Sequence, residues 1–209
     1  MMIKIIDVSE HQGKIDWQKV KAAGITGAII RLGYITSKGN NLDKQFKNNV
    51  TGALNAGVSI GFYLYSYAQD LKRVQQEIDF VIKTLQPYKK KIGYPIFYDC
   101  EDQLMGKCGK KAITGFAKTF CEGLKKHGFY PGIYANLNWV KNYLDMNQLP
   151  YDLWLAQYSN KMTYSGRVTM WQYTDKGRVN GIVCNVDTSH CYKCYPDLMR
   201  KEGWNGFGK

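Results

Sequence analysis

Short β-rich runs and stretches of helical periodicity alternate along the first two-thirds of the chain, and this alternation limits the fold more than any other feature of the sequence. The runs are Ile3 to Val8, Gly27 to Leu32, Ser59 to Tyr67, Tyr94 to Asp99 and Tyr130 to Ala135. Between them lie segments with helical spacing: Asp16 to Ala23 after the turn-forming Gly13, Asp43 to Ala56 ending at Gly57, Leu71 to Leu85 stopped by Pro87, and Lys110 to His127 ending at Gly128. Such βαβ order predicts parallel strands. Three more runs follow, Asp152 to Gln157, Val168 to Tyr173 and Gly181 to Val186, but only about ten and about seven residues separate them. A parallel crossover with its helix needs about 10–12 residues or more. The last strands are therefore expected to be joined by turns, with Asp175-Lys176-Gly177 as one of them, and some pairing there to be antiparallel.

The fold expected is α/β, an irregular TIM-like barrel of about five βα units followed by three strands poor in helices; a doubly wound open sheet is the alternative. At 209 residues and 44% apolar the chain is long enough for one domain with a sizeable core. Residues 1–200 read as the domain and 201–209 (KEGWNGFGK) as a loose tail or the start of a linker. No window has the roughly 18 consecutive apolar residues of a membrane span, and Met1-Met2-Ile3-Lys4 does not open a secretion signal. Membrane insertion is not expected.

In a βα barrel the C-terminal strand ends converge and build the active site, so acids at those ends are informative. The first strand ends in Asp7, the fourth in Asp99 with Glu101, and the eighth in Asp187. Side-chain alternation puts Phe97, Asp99 and Glu101 on one face of the fourth strand and Tyr98 and Cys100 on the other. Crowding these carboxyls beside Asp7 and Asp187 raises at least one pKa by like-charge repulsion, leaving a protonated acid beside ionised neighbours. Glycosidic cleavage needs that division: one acid protonates the leaving oxygen and another carboxylate steadies charge at the anomeric carbon. The same acids are also the residue type that caps helices after strand-to-helix turns, and Asp102 is expected either to cap in this way or to be solvated. A magnesium or calcium site is the third chemistry open to clustered carboxylates; the reading adopted here has no metal and no cofactor.

Aromatic residues make up 14% of the chain and gather at the same strand ends, as Tyr63-x-Tyr65-x-Tyr67, Tyr134, Trp154, Tyr158 and Trp171-Gln172-Tyr173. Sugar rings present apolar C–H faces, so aromatic platforms with hydroxyl or amide tips suit a carbohydrate cleft. Tyr63, Tyr65, Tyr134, Asn136, Trp154, Gln157, Trp171 and Gln172 are the expected substrate-binding residues. Other chemistries lack their signatures. The three histidines, His11, His127 and His190, accompany no G-x-S-x-G elbow, and neither a P-loop nor a G-x-G-x-x-G occurs. His11 follows Asp7 closely and fits a place in the cleft lining; His127 fits a helix cap, and His190 fits either role. The net charge of +12 is spread thinly and comes with no nucleic-acid-reading motif, so nucleic acid is not an expected partner. An anionic surface such as a wall polymer would suit that charge. Six cysteines at irregular spacing read as thiols, and Cys191-x-x-Cys194 is a lone pair short of zinc ligands.

These residues resemble glycoside hydrolase family 25, the Chalaropsis-type lysozymes. The opening IKIIDVSEHQGKIDWQKVKAAGITGAIIRLGY is similar to that family's first βαβ unit, and further matches are Asp43-x-x-Phe46 with Asn49 before AGVSIGFYLYSYA, the D-x-E of FYDCE, YPGIYAN, LWLAQY, MWQYT and NVDTS. The likeness runs from about Ile3 to about Tyr192. It implies a barrel of five βα units and three further strands, and hydrolysis of the β-1,4 bond between N-acetylmuramic acid and N-acetylglucosamine in bacterial peptidoglycan. Carried over by motif, Glu101 resembles the general acid/base and Asp99 the residue that orients the substrate's acetamido group or stabilises charge. Asp7 and Asp187 resemble the remaining acids of the cleft floor. Cys100 stands where the family has an aliphatic residue, and VDTSHCY departs from the more usual aspartate, aliphatic, asparagine run. The resemblance further implies a phage-type endolysin made in the host cytoplasm and released to the wall at lysis, or an extracellular enzyme; the competing readings are a bacterial autolysin with the same chemistry and a catalytically silent peptidoglycan-binding module.

Overall fold

The computed structural model describes residues 3–208. Its strands are β1 (Ile3–Val8), β2 (Gly27–Thr36), β3 (Gly39–Leu42), β4 (Ser59–Tyr65), β5 (Ile92–Asp99), β6 (Pro131–Asn136), β7 (Asp152–Ala156), β8 (Met170–Gly177) and β9 (Val186–Cys191). The helices are α1 (Trp17–Ala22), α2 (Phe46–Asn55), α3 (Leu71–Leu85), α4 (Gln103–Gly106), α5 (Gly109–Lys126), α6 (Leu137–Asn142) and α7 (Tyr195–Glu202). The sheet runs β1-β9-β8-β7-β6-β5-β4-β2-β3, and a β1–β2 pairing closes eight of these strands into a barrel, with β3 folded back on β2 as a short hairpin. The irregular barrel expected from strand spacing is what forms.

Side-chain parity divides the molecule into two cores. Outward residues such as Ile6, Val8, Ile30, Phe62, Tyr98 and Ile133 pack against the helices. Inward residues such as Ile5, Ile29, Phe97, Tyr134, Trp154 and Met170 fill the barrel, and Tyr195 and Met199 of α7 close it from below. The filling is tight enough to require glycine: a Cβ on Gly132 of β6 would come within 2.5 Å of the Phe97 ring. A TIM-like barrel is thus a packed core, and its chemistry is confined to the ends.

The helix-poor closing stretch differs from expectation in three respects. β7 and β8 pair in parallel although residues 157–169 contain no helix, so the short connection did not force a turn reversal there. Asp175-Lys176-Gly177 is the extended end of β8, not a turn, and the reversal comes after Gly177. The eighth barrel strand is Val186–Cys191, not Gly181–Val186. Gly181 sits at φ +99 in a turn whose carbonyl accepts the Asp16 N–H at 2.9 Å, which fastens that apolar run to the start of α1. The predicted antiparallel pairing is present: β9 runs antiparallel to both β8 and β1.

Residues 201–208, expected as a loose tail or linker start, are packed against the barrel, and residue 209 lies outside the described residues. Asn205 is fully buried under the barrel, where its Oδ1 accepts the Tyr130 N–H at 2.8 Å and its Nδ2 donates to the carbonyls of Ile92 at 3.0 Å and Tyr94 at 3.2 Å. Trp204 packs edge-on against Tyr130. Asn205 also holds a left-handed φ of 54, which an asparagine tolerates better than an alanine. Asn205→Ala should therefore lower the unfolding free energy by about 2–4 kcal/mol in urea titration, from three stranded backbone partners and the added backbone strain; wild-type stability in that variant would mean the segment plays no part in the fold.

Candidate active site

Asp7 ends on the inner side of β1 and pairs in register with Asp187 of β9. The sequence placed Asp187 at a strand's end; it lies instead near the start of β9, and because that strand runs antiparallel it still arrives at the same barrel mouth. Asp7 is buried, and its Oδ2 accepts a hydrogen bond of 2.9 Å from Gln172 Nε2 on β8. Gln172 Oε1 in turn accepts from the hydroxyls of Tyr134 at 3.0 Å and Tyr158 at 3.1 Å. The indole of Trp154 donates to Ser189 Oγ at 3.0 Å. The floor of the mouth is therefore an interlocked set of polar groups whose geometry is fixed before any ligand arrives.

Asp99 closes β5 and is 3% exposed, and among the described residues its Oδ1 has no protein hydrogen-bond partner. Glu101 stands two residues further on the same side, half-buried. Asp102 turns away and caps α4, its Oδ1 accepting the Leu104 N–H at 2.8 Å, as the sequence led us to expect. Asp7, Asp99, Glu101 and Asp187 line one cavity of 270 Å³ together with Arg31, Tyr63, Tyr65, Trp154 and Tyr158. A second cavity of 320 Å³ continues past Glu101, between Tyr134, Asn136, Leu137, Asn138 and Tyr158. Glu101 is the carboxyl common to both. Cavities of 350 and 500 Å³ open elsewhere on the surface, but neither brings two carboxyls together.

All four acids hold their protons more firmly than ordinary carboxyls. Burial is the first cause in each case. For Asp7 the charge of Asp187 adds to it, for Asp99 the charge of Glu101, and for Glu101 the charge of Asp187. Asp187 is pushed up to about 6 by burial and the nearby Asp175, while a hydrogen bond with the Asp7 carboxyl pulls it back. Asp7 and Asp187 face each other in the ladder, so the two carboxyls titrate together rather than independently.

Sequence reasoning overlooked the cation of the site. Arg31 on β2 is buried, donating from Nε to Asp43 Oδ2 at 2.7 Å and from Nη2 to Glu10 Oε1 at 2.7 Å, with His11 Nε2 at 3.4 Å from Nη1. Its charge is the one influence drawn from a cation that eases the ionisation of Asp99. The signal was available: an arginine inside the apolar run AIIRLGY, in phase with Ile29, has to face the barrel interior and find buried partners.

Of the eight substrate-binding candidates, Tyr63, Tyr65, Tyr134, Trp154 and Gln172 line the acid cavity and Asn136 lines the second one. Asn136 spends its Oδ1 on capping α6, accepting the Trp139 N–H at 3.1 Å. Trp171 and Gln157 do not reach the cavities. Trp171 lies on the opposite face of β8 from Gln172, near Tyr173 and His190, and its Nε1 donates to the Gln157 carbonyl at 2.8 Å. The Gln157 side chain is turned into its own loop, accepting the Thr163 N–H and donating to Thr163 Oγ1, both at 3.0 Å. His11 lines the acid cavity, His127 ends α5, and His190 stacks on Tyr173 outside it.

A sequence profile described as glycosyl hydrolases family 25 matches residues 6–182. The autolytic lysozyme of Clostridium acetobutylicum is 28% identical over 188 residues, covering 88% of this chain and 54% of that protein. The modular autolysin LytC of Streptococcus pneumoniae, solved with a synthetic peptidoglycan ligand, superposes with a TM-score of 0.82 at 27% identity, over 91% of this chain and 47% of that one. The CTP1L endolysin gives a TM-score of 0.82 at 25% identity over 96% of this chain and 70% of its own. This chain thus spans about half the length of the first two of these relatives.

The raised acids carry a consequence for stability. Asp187 binds its proton more tightly folded, at about 6, than unfolded, near 3.8, so its contribution to stability is fully present below the unfolded value and is lost as pH rises through the folded one. Urea unfolding of the wild type should weaken from about pH 4 to about pH 7, and Asp187→Asn should remove the step near 6. A variant with the wild-type pH slope would show that Asp187 is not the group responsible.

Proposed function

The chain belongs to glycosyl hydrolase family 25, and from that membership we propose that it is a muramidase, hydrolysing the β-1,4 bond between N-acetylmuramic acid and N-acetylglucosamine in bacterial peptidoglycan. The observation that carries the proposal is the position of Glu101, a carboxyl held above its usual pKa by burial and the neighbouring Asp187, at the boundary between two adjoining cavities. A general acid has to stand between the sugar that is cleaved and the sugar that leaves. Glu101 protonates the glycosidic oxygen. The sugar whose anomeric carbon is attacked occupies the 270 Å³ cavity, and the leaving sugar lies toward Asn136, Asn138 and Tyr158.

Asp99 lines the first cavity, carries a buried oxygen without a partner among the described residues, and feels the charge of Arg31. It orients the acetamido group beside the anomeric carbon, or steadies the positive charge that develops there once it has given up its own proton. Asp7 and Asp187, paired across the ladder, hold the floor together with Gln172. Tyr63, Tyr65, Tyr134 and Trp154 supply ring faces and hydroxyls to the sugar.

Peptidoglycan is the partner, and the surplus of 29 Lys and Arg over 17 Asp and Glu favours anionic wall polymers around it, since the cleft itself concentrates acids. No helix among the described residues is long and apolar enough to cross a membrane, and the reading adopted is an endolysin-type enzyme that reaches the wall at lysis. Kinship with an autolytic lysozyme and an endolysin supports the chemistry.

Purified cell walls should lose turbidity and gain reducing ends, with muramic acid at the new reducing terminus by mass spectrometry; reducing-end glucosamine would replace the muramidase reading with a glucosaminidase, and binding without new ends would reduce it to a binding module. Glu101→Gln should lower turnover at least about 10²-fold while walls are still bound. Asp99→Asn should lower it by about 10²-fold. Because Glu101 works protonated and its pKa lies above 4.5, activity should fall as pH rises through that raised value, and the limb should vanish in Glu101→Gln.

A further inference from the structure

Glu77 has no part in the chemistry just described, yet it is a carboxyl buried between the barrel and its helices. It lies on the inward face of α3, whose other buried residues are Val74, Ile78, Phe80, Val81 and Leu85, and it is 0% exposed. An acid in such a place is costly unless every lone pair is used. Here hydroxyls use them. Tyr98 donates its hydroxyl proton to Glu77 Oε2 at 2.8 Å. Ser66 Oγ lies 2.9 and 3.0 Å from the two carboxyl oxygens and 2.7 Å from the Tyr98 hydroxyl, and the Ala68 N–H donates to Ser66 Oγ at 3.1 Å. Burial pushes the Glu77 carboxyl up to about 7, with the bonds from Tyr98 and Ser66 and a backbone bond at Tyr67 pulling against it.

The two residues it holds are the outward neighbours of the site. Ser66 follows Tyr65, which lines the acid cavity, and Tyr98 precedes Asp99. The ends are joined directly as well: the Ser66 N–H donates to the Asp99 carbonyl at 3.2 Å, and Tyr65 pairs in register with Asp99. Tyr98 is further pinned by stacking on Phe120 of α5, with ring centroids 4.3 Å apart. Parity makes the outer grip fix the inner side chains, because a strand that cannot shift at Tyr98 cannot shift at Asp99.

We infer that Glu77 is a positioning residue for this reaction, acting from the helix layer through Ser66 and Tyr98 to hold the ends of β4 and β5 at the height where Tyr65, Asp99 and Glu101 meet the sugar. The inference rests on the muramidase reading for its kinetic consequence but not for its structural one. Wild type, Glu77→Gln, Tyr98→Phe and the double variant, matched for thermal unfolding, would be assayed on soluble peptidoglycan fragments and compared by backbone amide resonances. Each single variant should lower kcat about 10-fold with KM within about two-fold, as expected for a small misplacement of reacting groups. The double variant should be no slower than the slower single one, since both cut the same link. The amides of residues 99–101 should move while those of Asp7 and Asp187 stay. Wild-type kcat in either single variant, multiplying losses in the double, or unmoved amides at 99–101 would overturn the inference. Should Glu77→Gln not fold, Tyr98→Phe and Ser66→Ala decide it by the same readouts. A wild-type protein that releases no reducing ends would sink the muramidase reading, and the amide comparison would still judge Glu77.

Discussion

Four carboxyls forced into one poorly solvated barrel mouth are the constraint on which the rest of the site depends. Like charges so close cannot all ionise, so the mouth must either keep protons or import cations. It does the first. Arg31 is the cation at hand, but Asp43 and Glu10 take two of its donor groups at 2.7 Å each, which leaves its net pull on the cleft small. Retained protons are what a glycosidase requires of its acid, and a fully neutralised mouth would have lost them. The neutral amide of Gln172 completes the arrangement, bonding Asp7 without adding charge and tying it to Tyr134 and Tyr158.

The departure from a regular barrel serves the same end. In an all-parallel barrel each strand delivers its C-terminal residues to the mouth. β9 runs the other way and delivers residues from its start, so Asp187 comes directly opposite Asp7 in the ladder. Register, rather than loop conformation, therefore sets the spacing of that pair. The mutual influence of Asp7 and Asp187 on each other's protons follows from backbone pairing. Ser189, two residues along the same inward face, reaches Trp154 for the same reason.

Much of this was legible in the sequence because periodicity and parity are local. The alternation of elements and the shortened final spacings led to a closed barrel with antiparallel pairing, and D-x-E separated Asp99 and Glu101 from Tyr98 and Cys100. What escaped was non-local. The run Gly181-Ile182-Val183 has β-forming composition, yet it is held as a turn by α1, and Val183 is left 89% exposed. Trp171 and Gln172 could not both face inward on one strand, and choosing between them needed the partner strand, where Met170 and Gln172 share the inner side. Asn205 looked like tail because nothing in KEGWNGFGK announces three backbone partners, two on β5 and one at Tyr130 just before β6.

β5 shows how one strand can carry both halves of such a design. Its inner residues run from Phe97, which fills the barrel, to Asp99 and Glu101 at the mouth, while its outer residues Tyr98 and Cys100 are sealed under α3 and α5. The outer face leaves little freedom in position: Tyr98 is stacked, hydrogen-bonded and fully buried, and the Cys100 N–H is bonded to the Tyr134 carbonyl at 2.9 Å. Gln172 holds the acids from inside the cleft without adding charge, and the groups on the far side of the sheet do the same from behind. A polar clamp behind the strand does what a further cation in front of it would do, and it leaves the protons of the mouth where the chemistry uses them.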